Sequence, residues 1–223
     1  MCGIFASFLK HPLSDHDLKR GRQGTEILRH RGPDGHGEWY DRDAGVFLGH
    51  RRLAIIDPET RSDQPLVRGN RAITYNGELY NFRDLKRDLV AAGRNFQTSG
   101  DTEVLEAALN HWGDGALDRF DGMFAYAYWN GQQGQLAVDA FSEKPLYFAK
   151  TSDGIHVSSE IAVLAEVLDL KPDISTMTMA GYLAMGTFPA PETAFREIQK
   201  LPPATVLVIQ NGDVQNQRCY WQA

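Results

Sequence analysis

A sandwich of β-strands held between layers of helix is the fold this sequence predicts, on three observations. Several strand-length runs, among them GMFAYAYWN (122–130) and GQLAVDAF (134–141), are apolar on both faces and must be covered on both. Other segments carry apolar residues at helical spacing and can do the covering. The composition, 42% hydrophobic and 23% charged over 223 residues, suits one large domain or one domain with an appendage and supports a sizeable core.

Residues 2–9 (CGIFASFL) read as a short buried strand, and Asp15 to Arg29 as a polar helix with Leu18, Ile27 and Leu28 inward, interrupted by Gly21 and Gly24. In RHRGPDGHG (29–37), Pro33 and three glycines predict a loop. Strand-like runs follow at 46–56 (VFLGHRRLAII) and 71–81 (RAITYNGELYN), the second broken by Asn76-Gly77. Asn81 is placed to cap a helix carrying Phe82, Leu85 and Leu89. A second helix after SGDTE aligns Val104, Leu105, Ala108, Leu109 and Trp112.

A hairpin around Gly131 and Gly134 joins the runs at 122–130 and 134–141, and another spans 145–159. A helix is predicted near Glu160 to Asp169, before a proline-rich wrapping connector, TFPAPETAFREIQKLPPATV. A last hairpin turns at Asn211-Gly212.

The net charge of -6, with no basic cluster, argues against nucleic acid and anionic membranes as partners. No apolar run reaches membrane-span length, and Ile4 to Leu9 lacks a preceding basic segment, so neither a span nor a cleaved export signal is expected. Two cysteines, Cys2 and Cys219, do not make a disulfide framework, and a reducing cytoplasm is the expected compartment.

Cys2 sits where a chain usually frays, which leaves accident, lipid attachment or nucleophilic use as its explanations. Lipid attachment needs a signal peptide upstream. Nucleophilic use needs a base beside a thiol whose ordinary pKa is about 8.5. After removal of Met1, the α-amine of Cys2, with a pKa of roughly 7.7–8.0, is such a base.

Cys2-Gly3-Ile4, RHRGPDGHG, HRRLAIID, YNGELYN, SGDTE, DGMFAYAYW and EKPLYFA, in this order and spacing, resemble class II glutamine amidotransferases, above all the glutaminase domain of glutamine-dependent asparagine synthetases. The resemblance runs from Cys2 to about Trp221. It implies an α+β fold, the four-layer αββα sandwich of N-terminal-nucleophile hydrolases, and cleavage of L-glutamine to glutamate and ammonia through a Cys2 thioester.

By the same resemblance Asn76 and Gly77 form the oxyanion hole, Arg52 grips the substrate carboxylate, and Asp101, helped by Glu78, faces the substrate ammonium. On the residues alone, Asn76-Gly77 reads as an ordinary hairpin turn, Asp101 as a helix N-cap or first-turn acid, and Arg52 as a solvent-facing strand residue, as Arg51 beside it is expected to be. His30, His36 and His50 lack metal-ligand spacing, so no metal site is expected, and loop 29–37 is expected to wall the nucleophile. Cys219 is expected to be inert.

The sequence departs from the family where Val138 replaces a usual arginine, Ser142 a glycine and Ala162 a lysine. These changes leave the glutamine-cleaving set intact and bear on coupling to a partner. Residues 2–200 are expected to form the glutaminase domain and 201–223 a hairpin or connector toward an absent synthetase domain. No SGGxDS or Walker A loop occurs, so no cofactor is expected here, and ATP and Mg belong to that synthetase domain or a separate synthetase subunit, which would receive the ammonia. Other acceptors (a sugar, a nucleotide precursor, a surface glycan) and a non-catalytic scaffold are the alternative readings.

Overall fold

The computed structural model describes residues 1–54 and 59–222, the side chain of Thr60 excepted. The chain runs β1 (Gly3–Leu9), α1 (Asp15–Ile27), β2 (Gly35–Asp41), β3 (Val46–Arg52), β4 (Leu66–Arg68), β5 (Arg71–Leu79), α2 (Phe82–Ala91) and α3 (Asp101–Trp112). It continues through β6 (Gly122–Trp129), β7 (Gly134–Val138), β8 (Tyr147–Lys150), β9 (Gly154–Ser158), α4 (Ile161–Val167), α5 (Thr176–Met185), β10 (Ile198–Lys200), β11 (Thr205–Gln210) and β12 (Asp213–Cys219). Two antiparallel sheets result, ordered β10-β8-β9-β1-β3-β2 and β12-β11-β7-β6-β5-β4.

The two-faced strands divide their side chains between layers. From β1, Ile4, Ala6 and Phe8 enter the core between the sheets, where they meet Ala125, Ala127 and Trp129 of β6. Phe5 and Leu9 turn to the opposite face and pack with Leu18 of α1 and Val163 and Leu164 of α4. On the second sheet, Phe124, Tyr126 and Tyr128 of β6 pack with Leu85 and Leu89 of α2 and Val104, Leu105 and Ala108 of α3. The order helix, sheet, sheet, helix is therefore the four-layer αββα arrangement, with period-2 alternation distributing apolar side chains to separate cores.

Gly21 and Gly24, which weaken α1 by propensity, are where that helix meets its sheet: a Cβ on Gly21 would run into the Phe47 ring, and one on Gly24 into the Phe5 ring. Burying two phenylalanines contributes about 1.5–3 kcal/mol each, more than the roughly 1 kcal/mol that each helical glycine costs. The helix begins at Ser14, whose hydroxyl accepts from Asp17 N–H while the Asp17 carboxylate accepts from Ser14 N–H, a capping box.

Four sequence expectations are corrected. The loop at 29–37 is shorter: Leu28–His30 is a turn of 3-10 helix and Gly35–Asp41 is β2, paired along its length with β3, so its glycines lie in a strand. β5 is not broken at Asn76-Gly77; both residues stay in register with Ala125 and Phe124 of β6. Asn81 is the N-cap residue of α2 without capping it, since its side chain donates to the Arg119 carbonyl and accepts from Asp121 N–H. Helix α5 was not anticipated; its Met177 and Leu183 are exposed, and no amphipathic stripe signals it. The strand predicted at 46–56 ends at Arg52, and Ile55 and Ile56 lie outside the described residues. Among the described residues no helix is long and apolar enough to cross a membrane.

Candidate active site

Gly3 pairs with Arg51 at the end of the β1–β3 ladder, which leaves Cys2 and Arg52 together beyond its last rung. The facing sheet supplies Asn76, and Cys2 N donates to Asn76 Oδ1 at 3.1 Å, tying the two sheets together at this end. The Cys2 carbonyl, outside any ladder, accepts from Arg31 Nε at 2.9 Å, and Arg31 Nη1 is paired with Glu160 at 2.9 Å. Cys2 Sγ accepts from Leu53 N–H at 3.4 Å. A residue that would otherwise fray is held at nitrogen, oxygen and sulfur.

Burial pushes the Cys2 thiol above its ordinary pKa, and the Leu53 N–H, the chain amine, Arg52 and Arg31 oppose that rise without cancelling it. Asn76 is 2% exposed, and while its Oδ1 is engaged, its Nδ2 is buried with no hydrogen-bond partner among the described residues. Orphaned buried donors are rare and costly, so this one calls for an explanation. Gly77 follows it; a Cβ there would strike the Met123 carbonyl, which fixes glycine at this position.

The far end of the pocket is charged. Arg52 Nη1 donates to Asp63 at 2.7 Å and to the Glu59 carbonyl at 3.1 Å. Asp101 is the first residue of α3, and its Oδ2 accepts from Tyr75 Oη at 2.8 Å and Leu79 N–H at 3.0 Å. Glu103, two residues on, accepts from the N–H groups of Gln97 and Thr98 and from Arg68, fastening the loop that presents Asp101. Cys2, Arg52, Asn76, Gly77, Glu78 and Asp101 all line one pocket, so residues spread over a hundred positions of sequence meet in it.

Sequence reasoning missed the residues that support these six. Arg31 lies in the RGPD stretch expected to wall the nucleophile, and Tyr75 and Gln64 also line or brace the pocket, Gln64 Oε1 accepting from Tyr75 N–H at 2.7 Å. No local pattern marks any of them, because each acts through a partner distant in sequence. Arg51 is corrected: it is buried, donating from Nε to the Thr25 carbonyl and pairing with Glu26, because α1 covers that face of β3.

His50 is fully buried, hydrogen-bonded at Nδ1 to Thr74 Oγ1 at 2.9 Å, and burial, with Arg52, lowers its pKa to about 3, which keeps the imidazole neutral. His30 pairs with Glu160, and His36 is exposed. Cys219 is exposed on β12, its thiol against the Trp221 carbonyl. Ser142, in place of the family glycine, has φ 54° and a buried hydroxyl without a partner, on a turn whose N–H groups at Phe141, Glu143 and Lys144 donate to Asp139. Lys144 reaches the pocket wall from this turn.

Known proteins resemble this chain in sequence and fold. A family profile described as glutamine amidotransferase domain matches residues 1–221. Asparagine synthetase [glutamine-hydrolyzing] 1 of Bacillus subtilis (strain 168) is 35% identical over 221 residues, covering 96% of this chain and 34% of that protein. Asparagine synthetase [glutamine-hydrolyzing] 3 of the same organism is 31% identical over 99% of this chain and 36% of its own length. The chain thus spans about a third of the length of these curated relatives. Among solved structures, the glutamine phosphoribosylpyrophosphate amidotransferase of B. subtilis superposes with a TM-score of 0.74 at 21% identity, over 100% of this chain and 50% of that one, which shows the shared N-terminal-nucleophile hydrolase fold. With the profile match across nearly its whole length, the chain belongs to the glutamine amidotransferase family.

Proposed function

We propose that this domain hydrolyses the side-chain amide of L-glutamine through a Cys2 thioester and supplies the ammonia to an asparagine-synthetase-like amidation. The observation that carries the reading is the orphaned Asn76 Nδ2, a buried donor beside Cys2 with nothing among the described residues to accept from it. A donor left unpaired in the resting site is stabilised when an oxyanion develops next to it, which is the condition for lowering a barrier.

With Met1 removed, Cys2 N is an amine. It takes the thiol proton, and Sγ attacks the amide carbon of glutamine, whose oxygen becomes an anion held by Asn76 Nδ2 and the Gly77 N–H. Collapse of this adduct breaks the C–N bond, and the amine returns its proton to the departing nitrogen, releasing ammonia. Water, deprotonated by the same amine, then cleaves the thioester to glutamate and regenerates the thiol. Arg52 and Asp101 orient the substrate through its α-carboxylate and α-ammonium, and Glu78 assists. The raised thiol pKa makes such a base necessary, and the neutral His50, bonded to Thr74 in the core, does not supply one.

The acceptor part of the reading rests on relatives named as glutamine-hydrolysing asparagine synthetases. Residues 201–223 would form the connector toward the synthetase part, with β11 already joined to β7. The site needs Cys2 reduced, which suits a cytoplasmic setting, and both cysteines are free thiols.

The test compares protein carrying an uncleaved N-terminal extension with protein whose intact mass shows Cys2 first. Glutamate release should be confined to the second form and should return when the extension is cut off at Cys2. Equal rates in both would show that another group deprotonates the thiol.

A further inference from the structure

Tyr75 lies directly before Asn76 on β5, and alternation sends the two side chains to opposite faces. Asn76 points to the nucleophile, whereas the Tyr75 ring is buried in the core between the second sheet and α2 and α3. Ring packing alone would be served by phenylalanine. The hydroxyl, however, donates at 2.8 Å to Oδ2 of Asp101, the same oxygen that takes the Leu79 N–H at 3.0 Å.

We infer that Tyr75 is a positioning residue for substrate recognition: its hydroxyl holds Asp101 as a carboxylate and locks Oδ2, so that Oδ1 meets the α-ammonium of glutamine. The inference rests on the function proposed above and extends it to a residue that never touches the reacting atoms.

Asp101 is 5% exposed, and burial raises its pKa; the Leu79 N–H and the Tyr75 hydroxyl oppose that rise, while Glu78 adds to it. Its place at the start of α3 favours the anion further. The Tyr75 phenol, pushed well above its usual pKa by burial and by Asp101, remains a donor wherever the enzyme could work. Lining the same pocket as this carboxylate are Glu78 on β5, Glu103 on α3 in its pair with Arg68 on β4, Arg52 on β3, Lys144 after β7 and Cys2, while Lys86 on α2 is turned to the Thr98 carbonyl. Among the described residues, the Tyr75 hydroxyl donates to Asp101 at 2.8 Å.

Tyr75→Phe removes one atom and keeps the ring, so folding is preserved. Removing a donor from the carboxylate raises the Asp101 pKa, and the pH below which glutamine affinity falls should therefore move up. In processed protein at neutral pH, KM for glutamine should rise about three- to tenfold with kcat within twofold. Binding measured by calorimetry in the Cys2→Ala background, free of turnover, should show the same loss for glutamine. It should show none for glutaramate, which lacks the α-amine.

A purely structural role would instead weaken both ligands together and lower the melting temperature. An unchanged pH dependence, or equal weakening of glutaramate, overturns the inference while leaving the proposed function standing. Failure of the Cys2→Ala protein to bind glutamine at any pH overturns both.

Discussion

At the end of the pocket where Cys2 sits, polar capacity is left open: Asn76 Nδ2 has no partner among the described residues and the thiol is held in its neutral form by burial. At the end where Arg52 and Asp101 sit, the charges already have protein partners, in Asp63 for the one and Tyr75 and Leu79 for the other. The difference follows from when charge arrives. In the proposed reaction the substrate carboxylate and ammonium are present from the first encounter, so the groups proposed to receive them can be charged and braced in the empty site. The oxyanion exists only during reaction, so its donor must wait unpaired, at a cost to resting stability.

The comparison breaks most sharply at Cys2. Cys2→Ala should abolish glutamate release while leaving glutamine binding and the melting temperature close to those of the parent, because in the proposed mechanism sulfur carries the covalent step, and it contributes little packing. Residual turnover near the parent rate would remove the mechanism. Asn76→Ala should lower kcat by about 10²–10³ with little change in KM, the signature of a donor used in the transition state. A KM-dominated loss would move Asn76 to the recognition end.

Arg52→Lys should do the reverse, raising KM by about tenfold or more with a smaller change in kcat, since a planar fork is replaced by a point charge that cannot reproduce its geometry. Normal glutamine binding by this variant would show that the carboxylate is held elsewhere. The smallest effect belongs to the turn outside both ends. Ser142→Gly relieves a left-handed residue and an orphaned hydroxyl together, and should stabilise the protein by about 1 kcal/mol. Thermal melts should show it as a rise of a few degrees without change in either kinetic constant. A lower melting temperature would mean that the hydroxyl is satisfied in solution.

Much of the fold was legible because it rests on local pattern. Strands apolar on both faces announce burial between layers whatever their partners, and the hairpins at Gly131–Gly134 and Asn211-Gly212 need no distant information. Elements misjudged were those where local chemistry was overruled. Asn76-Gly77 looks like a turn, yet β6 pairs with it along the strand, and the glycines of β2 are carried by β3. Helix α5 shows the opposite case: without a buried stripe, a helix leaves no periodic signal.

The sequence by itself determined the two-faced strands, the amphipathic helices and, through co-ordered motifs, six of the residues that line the pocket. Tertiary structure decided what those residues have as partners: that Arg31 holds the Cys2 carbonyl, that Tyr75 reaches across to Asp101, and that Arg51 is buried where a solvent-facing residue was expected. The physical reason is range. Periodicity and turn chemistry act over a few residues and can be read along the chain, whereas a hydrogen-bond partner or an orphaned donor is set by groups that only the packing of two sheets and their helices brings within 3 Å.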